Sequence, residues 1–219
     1  MPVADTATQE PTAGGRLQRS QASRRARVLA AVLDLAHEGG YDAVQLRPIS
    51  DRTGVSTDTI YRYFGSRDRL VSVAVRQWLE REYIGVAPTW LEGPTPAEQI
   101  LSYSRHVWEV WERNPNMLET FVRAAMAEGD IEDGLAARTT TALVPLTADA
   151  LRDVDPDYRA DVLMALEHFT HSAMTYVVRG QLPISEVYPQ LERTVRRLAQ
   201  HPAMAGHRPK TWDWQAPTA

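Results

Sequence analysis

The chain has 219 residues, 43% of them hydrophobic, a formal net charge of −4 and no cysteine, which excludes disulfide bonds, thiolate metal sites and cysteine nucleophiles. No segment reaches the roughly 18 apolar residues of a membrane span, and residues 1–15 lack the basic and apolar regions of a signal peptide, so we expect a cytoplasmic protein. Charge is unevenly distributed along the chain. Residues 15–76 hold 11 basic and 6 acidic residues, whereas residues 77–219 hold 13 basic and 20 acidic residues. The basic first third favours a polyanion as its partner.

The first third of the chain is predicted to be helical after a disordered arm. Residues 1–15 are polar and aperiodic, which is typical of disorder. Beyond them, apolar residues recur at steps of three and four as far as Gly39-Gly40, where glycine permits the left-handed conformation that ends a helix. Four helices are predicted here: from about Gln18 to Gly39, from Arg47 or Pro48 to Gly54, from Thr57 to Tyr63, and from Arg67 to about Ile84.

The stretch TGVSTDTIYRYFGSRDRL, residues 53–70, has the spacing of a helix-turn-helix, because two short helices flank a tight turn at Gly54. In that motif the second helix lies in the major groove, which is about 12 Å wide and admits only a helix with a small leading face. Here that face carries hydroxyl and carboxylate groups, whereas Ile60 and Phe64 are four residues apart and point back into a core. Tyr61 and Tyr63 flank the exposed side, where their hydroxyls can donate to phosphate oxygens.

Residues from all four of these helices are predicted to contact DNA. Arg67 opens the helix after the motif and is expected to reach the same phosphates. Arg24, Arg25 and Arg27 of the first helix are interpreted in the same way, although exposed arginines are also typical of an ordinary solvated surface. The predicted DNA-binding residues are Arg24, Arg25, Arg47, Ser56, Thr57, Asp58, Thr59, Tyr61, Arg62, Tyr63 and Arg67.

This segment resembles the TetR family of bacterial one-component repressors. The residues that carry the resemblance are Gly39-Gly40-Tyr41, Ile49, Gly54-Val55-Ser56, Tyr61-Arg62-Tyr63-Phe64, Ser66-Arg67 and Leu70. The resemblance is specific over about residues 22–75 and extends beyond them only in helix lengths. Arg67 departs from it, since the family usually has lysine there. The stretches GGYDAVQLRPISDRTGVSTDTIYRYF and WERNPNMLETFVRAAM are similar to the KstR-like subgroup, actinobacterial repressors of sterol catabolism.

The remainder of the chain is predicted to form a second helical domain. The Pro- and Gly-rich stretch GVAPTWLEGPTP separates a helix-turn-helix domain, residues 16–84, from a domain at 95–200, which a tail at 201–219 follows. Five more helices are predicted: Thr95 to about Arg113, Asn116 to Glu128, Ile131 to Arg152, Pro156 to Arg179, and Ile184 to about Gln200. The predicted fold class is therefore all-α, a three-helix DNA-binding domain and a helical bundle, with about nine helices.

The resemblance implies that the second domain holds a ligand cavity. Methionines and aromatic residues at helical spacing fit such a cavity, although each of them can instead simply fill a core. The predicted lining residues are Trp78, Tyr103, His106, Val107, Trp111, Met117, Phe121, Val122, Met126, Phe169 and Met174. An apolar lining with few charges favours a lipid, a steroid or an acyl-CoA-like effector over a sugar or an amino acid.

The resemblance also implies a homodimer, which we place on the last two predicted helices. The predicted interface residues are His168, His171, Thr175, Val187, Leu191 and Val195. Glu167, His168 and His171 share part of a helix and can in principle bind a metal, but no further ligand is evident nearby, so neither a metal nor a cofactor is expected. No GxSxG, GxGxxG or GxxxxGK[ST] motif occurs, so an enzyme has no motif to support it.

Together these patterns predict a homodimeric repressor that an apolar small molecule releases from a palindromic operator in double-stranded DNA. Residues 67–84 are the expected lever, because they join the two domains. Two alternatives remain open: an activator or nucleoid-type DNA-binding protein without an effector, and a ligand carrier or enzyme that retains a vestigial helix-turn-helix.

Overall fold

The computed structural model describes residues 13–84, 91–127, 147–148 and 150–205, and these ranges contain no β-strand. The helices in them are α1 (Ala13–Ala43), α2 (Leu46–Thr53), α3 (Thr57–Phe64), α4 (Arg67–Leu79), α5 (Pro96–Arg113), α6 (Pro115–Ala127), α7 (Pro156–Val178) and α8 (Val187–Leu198). The predicted all-α fold class is confirmed. None of the helices in the described ranges is long and apolar enough to cross a membrane.

Helix α1 begins earlier than predicted, at Ala13, and so includes the last three residues of the predicted disordered arm. The other residues of that arm lie outside the described ranges. The regular part of α1 ends at the predicted glycine pair, because Gly39 (φ −147°, ψ 22°) and Gly40 (φ 67°, ψ −163°) both leave the helical conformation. Gly40 takes a positive φ that favours glycine, and the Glu119 carboxylate of α6 lies close to the position that a Cβ atom would take.

Helices α1 to α4 enclose the core of the N-terminal domain. Val28 and Val32 of α1, Ile49 of α2, Ile60 of α3 and Leu70 of α4 are all fully buried. The short helices α2 and α3 have one or two buried residues each, so this common core, rather than intrinsic helix propensity, holds them in place. The burial of Ile60 and Phe64 in this core determines which side of α3 faces solvent.

Helices α5 to α8 form the second domain. Thr95 opens α5 with a capping box, because its hydroxyl accepts from the backbone N–H of Glu98 and the Glu98 carboxylate accepts from the backbone N–H of Thr95. A 3₁₀ turn, Ile184–Glu186, precedes α8. The helix predicted from Ile131 to Arg152 lies largely outside the described residues; of its last part, residues 147, 148 and 150 are helical and residues 151–153 form a turn.

An aromatic cluster joins the two domains. The ring of Trp78 in α4 lies 5.5 Å from that of Trp111 in α5, which in turn lies 5.5 Å from that of Phe121 in α6. His37 of α1 contacts Trp78 edge-on at 6.0 Å. The two domains therefore share one continuous core, and α4 and α6 both run through it.

Candidate functional site

The candidate site begins with the exposed face of α3. Ser56 caps this helix, because its Oγ accepts from the backbone N–H of Thr59 at 3.3 Å and donates to Thr59 Oγ1 at 2.9 Å. Thr57 and Asp58 in the first turn are exposed, whereas Ile60 and Phe64 on the opposite side are buried. The sequence thus produces a short helix with an apolar back and a small polar front, as predicted.

The two tyrosines of α3 differ in exposure. Tyr61 is 61% exposed and Arg62 beside it is also exposed. Tyr63 is half-buried, with its ring edge-on to Phe64 at 6.3 Å and packed against the core. Tyr61 is therefore the more accessible of the two phenols for a partner that approaches α3.

The neighbouring helices α1 and α2 also carry exposed arginines. Arg47 lies exposed in the first turn of α2, and Arg24 and Arg27 are exposed on α1. Arg25 is also exposed, but its guanidinium carbon lies 5.3 Å from the centre of the Phe64 ring. That cation–π contact connects α1 to the end of α3.

Arg67 does not lie where the sequence placed it. Its Nε donates to the carbonyl oxygen of Val44 at 2.5 Å, and a second nitrogen donates to the carbonyl oxygen of Tyr41. A third donates to the Asp68 carboxylate at 3.3 Å, and the group stacks at 4.2 Å over the Tyr41 ring. The predicted phosphate contact is wrong for this geometry, because the guanidinium is turned inward to hold the α1–α2 connection against α4.

A cavity of about 300 Å³ opens in the second domain between α5, α6 and α7. The predicted residues that border it are Tyr103, Val107, Phe121, Val122, Met126 and Met174. Burial raises the pKa of the Tyr103 phenol above its usual range, so this hydroxyl stays protonated at neutral pH and can serve as a hydrogen-bond donor. Most of the wall is apolar, with a polar margin on α7.

The other predicted lining residues lie elsewhere. Trp78 and Trp111 belong to the cluster between the domains, and Met117 is fully buried in the core. His106 forms a hydrogen bond from its ring to the carbonyl of Ser102 at 2.9 Å, one turn earlier, and Phe169 packs against the core. Helical spacing identified apolar faces but did not show which of them meet around empty space.

Sequence reasoning also missed several wall residues, namely Ile100, Ser104, Trp108, Ala125, Thr147 and Thr170. Ile100, Ser104 and Val107 follow one face of α5 at steps of four and three, so the spacing was available as a signal. Ser104 is small and polar, so a pattern of large apolar residues along α5 does not include it.

The predicted dimer residues divide into two groups. Val187, Leu191 and Val195 are at most 1% exposed within a single chain, so the expectation that they face a second copy is wrong. They form the buried stripe of α8, which packs on α5 in the same chain. His168, His171 and Thr175 of α7 instead border the cavity, and both histidines are also exposed.

A polar junction connects α6 to the N-terminal domain. Two nitrogens of Arg123 donate to the two carboxylate oxygens of Asp42 at 2.7 and 2.8 Å, and one also donates to Glu119 at 2.9 Å. The guanidinium lies 4.6 Å from the centre of the Tyr41 ring, which therefore contacts Arg67 and Arg123 together. Hydrogen bonding to Arg123 lowers the pKa of Asp42, so the pair is complete at neutral pH and is lost only as pH falls through that lowered pKa.

Sequence reasoning missed this junction entirely. Its partners are 81 residues apart in the chain, and no local pattern connects them. Asn116 adds a second connection, since its amide nitrogen donates to the carbonyl oxygen of His37 at 2.7 Å. The opposite face of α6 carries Phe121 and Val122 on the cavity wall. One helix thus contacts both the cavity and the N-terminal domain.

No group of three or more histidine, aspartate or glutamate residues in the described part of the chain is arranged to hold a metal ion. Glu167, His168 and His171 border the cavity instead.

Two family models match the chain over its two domains. Residues 28–74 match the model described as bacterial regulatory proteins, tetR family, and residues 93–198 match the one described as tetracyclin repressor-like, C-terminal domain. The chain belongs to the TetR family. The resemblance predicted from residues 22–75 is confirmed, and membership places the chain among regulatory proteins and not among enzymes.

Part of the chain is similar in sequence to named transcriptional repressors. It is 35% identical over 144 residues to the HTH-type transcriptional repressor KstR of Rhodococcus jostii, a match that covers 60% of this chain and 66% of that one. It is 34% identical over 118 residues to the repressor of the same name from Mycolicibacterium smegmatis, with 52% and 58% covered. The chain thus matches less than two thirds of the length of either relative.

Solved structures share the fold. A TetR transcriptional regulator from Rhodococcus sp. RHA1 superposes with a TM-score of 0.67 at 19% identity, covering 82% of this chain and 97% of that one. At such low identity this likeness concerns the fold alone. It supports the arrangement of a helix-turn-helix domain on a helical second domain.

Proposed function

We propose that this protein is a transcriptional repressor that binds an operator in double-stranded DNA and is released by an apolar small molecule. The observation that carries the proposal is α3, a capped helix with a small polar front and a buried apolar back, with exposed arginines on the neighbouring helices α1 and α2. Such a helix fits the major groove, and its position in the chain matches the TetR-family regulatory domain. A cytoplasmic location belongs to the same proposal, because the operator is there.

The exposed residues of α3 and its neighbours divide into two roles. In this proposal, Thr57 and Asp58 at the front of the helix contact base edges, together with Ser56 and Thr59, which also hydrogen-bond to each other. The proposed phosphate contacts are made by Tyr61, Arg62 and Tyr63, with Arg24, Arg25 and Arg47, which are exposed except for the half-buried Tyr63. Base contacts give sequence preference, whereas phosphate contacts give affinity and register.

The proposed homodimer uses the outer face of α7. Met164 is 53% exposed and Tyr176 is 50% exposed, so α7 carries large apolar groups toward solvent in a single chain. A second copy related by a two-fold axis would bury this face and would place two copies of α3 on one side of the dimer. Two such helices read a palindrome when they are about 34–36 Å apart, or a multiple of that distance.

The proposed effector is a lipid, a steroid or an acyl-CoA-like molecule. The cavity wall is mainly aliphatic and aromatic, and hydroxyl and imidazole groups lie at its α7 side. Apolar walls with a few polar groups are typical of pockets for apolar ligands that carry a polar end.

The proposed mechanism is a shift between two conformations. The effector binds better to a conformation in which the two copies of α3 have the wrong separation, so the DNA-competent fraction falls. Helix α4 transmits the conformational change between the cavity and the N-terminal domain, because it joins the two domains. Helix α6 is a second route, because it borders the cavity and Arg123 bonds it to Asp42. A coupling free energy of about 1–3 kcal/mol between the two sites is sufficient for release.

DNA binding is tested by selection of duplexes from a random pool, followed by fluorescence anisotropy titrations of the selected sequence. We expect a palindromic site, and we expect Thr57→Ala to change the preferred base at one position of each half-site. Ser185→Ala is the control, since it removes an exposed hydroxyl outside the proposed DNA interface. Failure of the wild-type protein to enrich any sequence contradicts the proposed function.

The effector is tested by thermal shift and anisotropy with fatty acids, sterols, acyl-CoA esters, a sugar and an amino acid. We expect one apolar class to raise the melting temperature and to lower operator affinity. Ala125→Phe, which fills part of the cavity, should reduce the thermal shift while the variant remains folded. Operator binding with no response to any ligand favours the alternative of a DNA-binding protein without an effector.

A further inference from the structure

Helix α1 extends beyond the part of the chain that the family model matches. The helix begins at Ala13, whereas the match to the TetR-family regulatory domain begins at residue 28. At about 1.5 Å per residue, the 15 residues before the match add roughly 22 Å of helix. We name residues 13–27 the α1 extension.

The α1 extension is strongly basic. It contains five arginines, Arg16, Arg19, Arg24, Arg25 and Arg27, and no aspartate or glutamate. The first acidic residue of α1 is Asp34. Because the extension has no carboxylate of its own, none of these charges is neutralised by an ion pair within it, and a cluster of this kind attracts a polyanion.

The described part of the α1 extension is largely exposed, and Arg25 contacts the Phe64 ring. Residues 21–27 are all exposed, and the buried core of the domain begins at Val28. Residues 21–27 therefore gain little from packing beyond the Arg25–Phe64 contact, and without opposite charges four residues apart they gain little from their own surface. An external partner that neutralises the arginines would supply the missing stabilisation.

The location of the α1 extension identifies which polyanion fits it. Arg25 stacks on Phe64, the last residue of α3, so the extension leaves the domain beside the proposed recognition helix. Arg24 and Arg27 are three residues apart and therefore share a face of α1. The contact with Phe64 brings the start of this basic segment next to the C-terminal end of α3.

We propose that the α1 extension is a second, sequence-independent DNA contact that follows the phosphate backbone outside each half-site. This inference rests on the proposed function and adds a prediction that the helix-turn-helix alone does not make. The extended helix reaches several base pairs beyond the sequence read by α3, so the protected region of an operator is longer than its palindrome. Affinity for DNA of any sequence depends on the extension, whereas base preference does not.

Two double variants test the extension in the full-length chain: Arg24→Gln with Arg27→Gln, and Arg16→Gln with Arg19→Gln. Arg25 is kept, because it packs on Phe64. The matched control is Arg193→Gln with Arg197→Gln, which removes two exposed arginines of α8. Operator affinity is measured from 50 to 300 mM KCl, base preference by random selection, and the protected region by hydroxyl-radical footprinting.

For each extension variant we expect a shallower dependence of affinity on salt, with the same selected palindrome and a footprint shortened at both outer edges. Four lost phosphate contacts in a homodimer lower the absolute slope of log K against log salt by up to about 3.6, since each contact contributes about 0.9. The control should keep the wild-type slope and footprint. Circular dichroism and thermal melting confirm that each variant is folded.

Three outcomes overturn the inference while the proposed function stands: a slope and footprint equal to wild type in both variants, an altered palindrome, or variants that lose binding to phosphatidylserine vesicles but not to DNA. The last outcome would assign the extension to an anionic membrane surface. If the wild-type protein selects no DNA sequence, the proposed function fails, and the inference fails with it.

Discussion

The guanidinium group of Arg67 stacks on Tyr41 and donates to the backbone carbonyls of Val44 and Tyr41, so one side chain joins α4 to the α1–α2 connection. At 22% exposure the side chain is largely removed from solvent. A planar group with five donors suits this role, and a lysine ammonium cannot reproduce it. The sequence pattern placed this arginine on DNA because it cannot show which way a long side chain turns.

Replacement of Arg67 by lysine is therefore expected to lower stability rather than to weaken phosphate binding directly. Loss of the paired carbonyl bonds should reduce the free energy of unfolding by about 2 kcal/mol, measured by urea denaturation. Arg69→Lys, an exposed change two residues away, is the control and should have no effect. Unchanged unfolding combined with weaker operator binding would restore the phosphate role.

The two tyrosines of α3 give a second test at this scale. Tyr61 is 61% exposed and Tyr63 is half-buried, so we expect Tyr61→Phe to weaken operator binding more than Tyr63→Phe does. A lost hydroxyl–phosphate hydrogen bond of about 1 kcal/mol corresponds to roughly a fivefold weaker affinity. For each variant, anisotropy titrations should show the same loss of affinity for the selected operator and for unrelated DNA. If neither variant differs from wild type, the phenols do not contact phosphate.

At the scale of helices, most starts were predictable because their signals are local. Ser56, Ser66 and Thr95 each accept a hydrogen bond from a backbone N–H three residues later, and α3, α4 and α5 begin directly after them. Stops were equally local where a glycine takes a positive φ, as at Gly54. For α1 the predicted start, Gln18, was five residues late.

Which part of the protein covers an apolar helix face was much less predictable from the sequence. The stripe of Val187, Leu191 and Val195 was correctly identified as apolar and wrongly assigned to a partner chain. An amphipathic pattern shows that a face is buried but not what covers it. In the same way, helical spacing on α5 and α6 indicated apolar faces but could not separate the shared aromatic cluster from the cavity wall.

Helix α6 supports a prediction about communication between the sites, because its two faces contact the cavity and the N-terminal domain. Ala125→Trp fills the cavity and serves as a substitute for a bound ligand, so it is expected to lower operator affinity. Arg123→Gln breaks the bonds to Asp42 and should reduce that effect by several-fold in a double-mutant cycle. Arg113→Gln, an exposed change on α5, is the control.

The cycle also has an outcome that contradicts the junction. If Ala125→Trp lowers operator affinity by the same factor with and without Arg123, coupling does not pass through the bonds to Asp42. The junction is then a local contact, and α4 becomes the main lever. Because Asp42 is 74% exposed and Arg123 is 37% exposed, solvent screens their ion pair, and Arg123→Gln itself should change the free energy of unfolding little.

At the scale of the whole molecule, the proposed function requires two chains. Met164→Glu places a charge on the exposed apolar face of α7 and is expected to shift the protein from dimer to monomer in analytical ultracentrifugation. Operator affinity should fall at least tenfold, because the two copies of α3 then bind independently. Gln77→Glu adds the same charge on an exposed position of α4 and should leave the dimer intact. A dimer that survives Met164→Glu places the interface on another face.

The sequence by itself determined the helices, the capped front of α3, the uneven distribution of charge and the family. Each of these depends on residues within a few turns of one another, where hydrogen bonds to the backbone and helical spacing decide the outcome. Only the tertiary structure decided where Arg67 turns, which apolar faces enclose a cavity, and how Asp42 meets Arg123. Those contacts join residues far apart in the chain, and their geometry follows from how whole helices pack, which no local pattern contains.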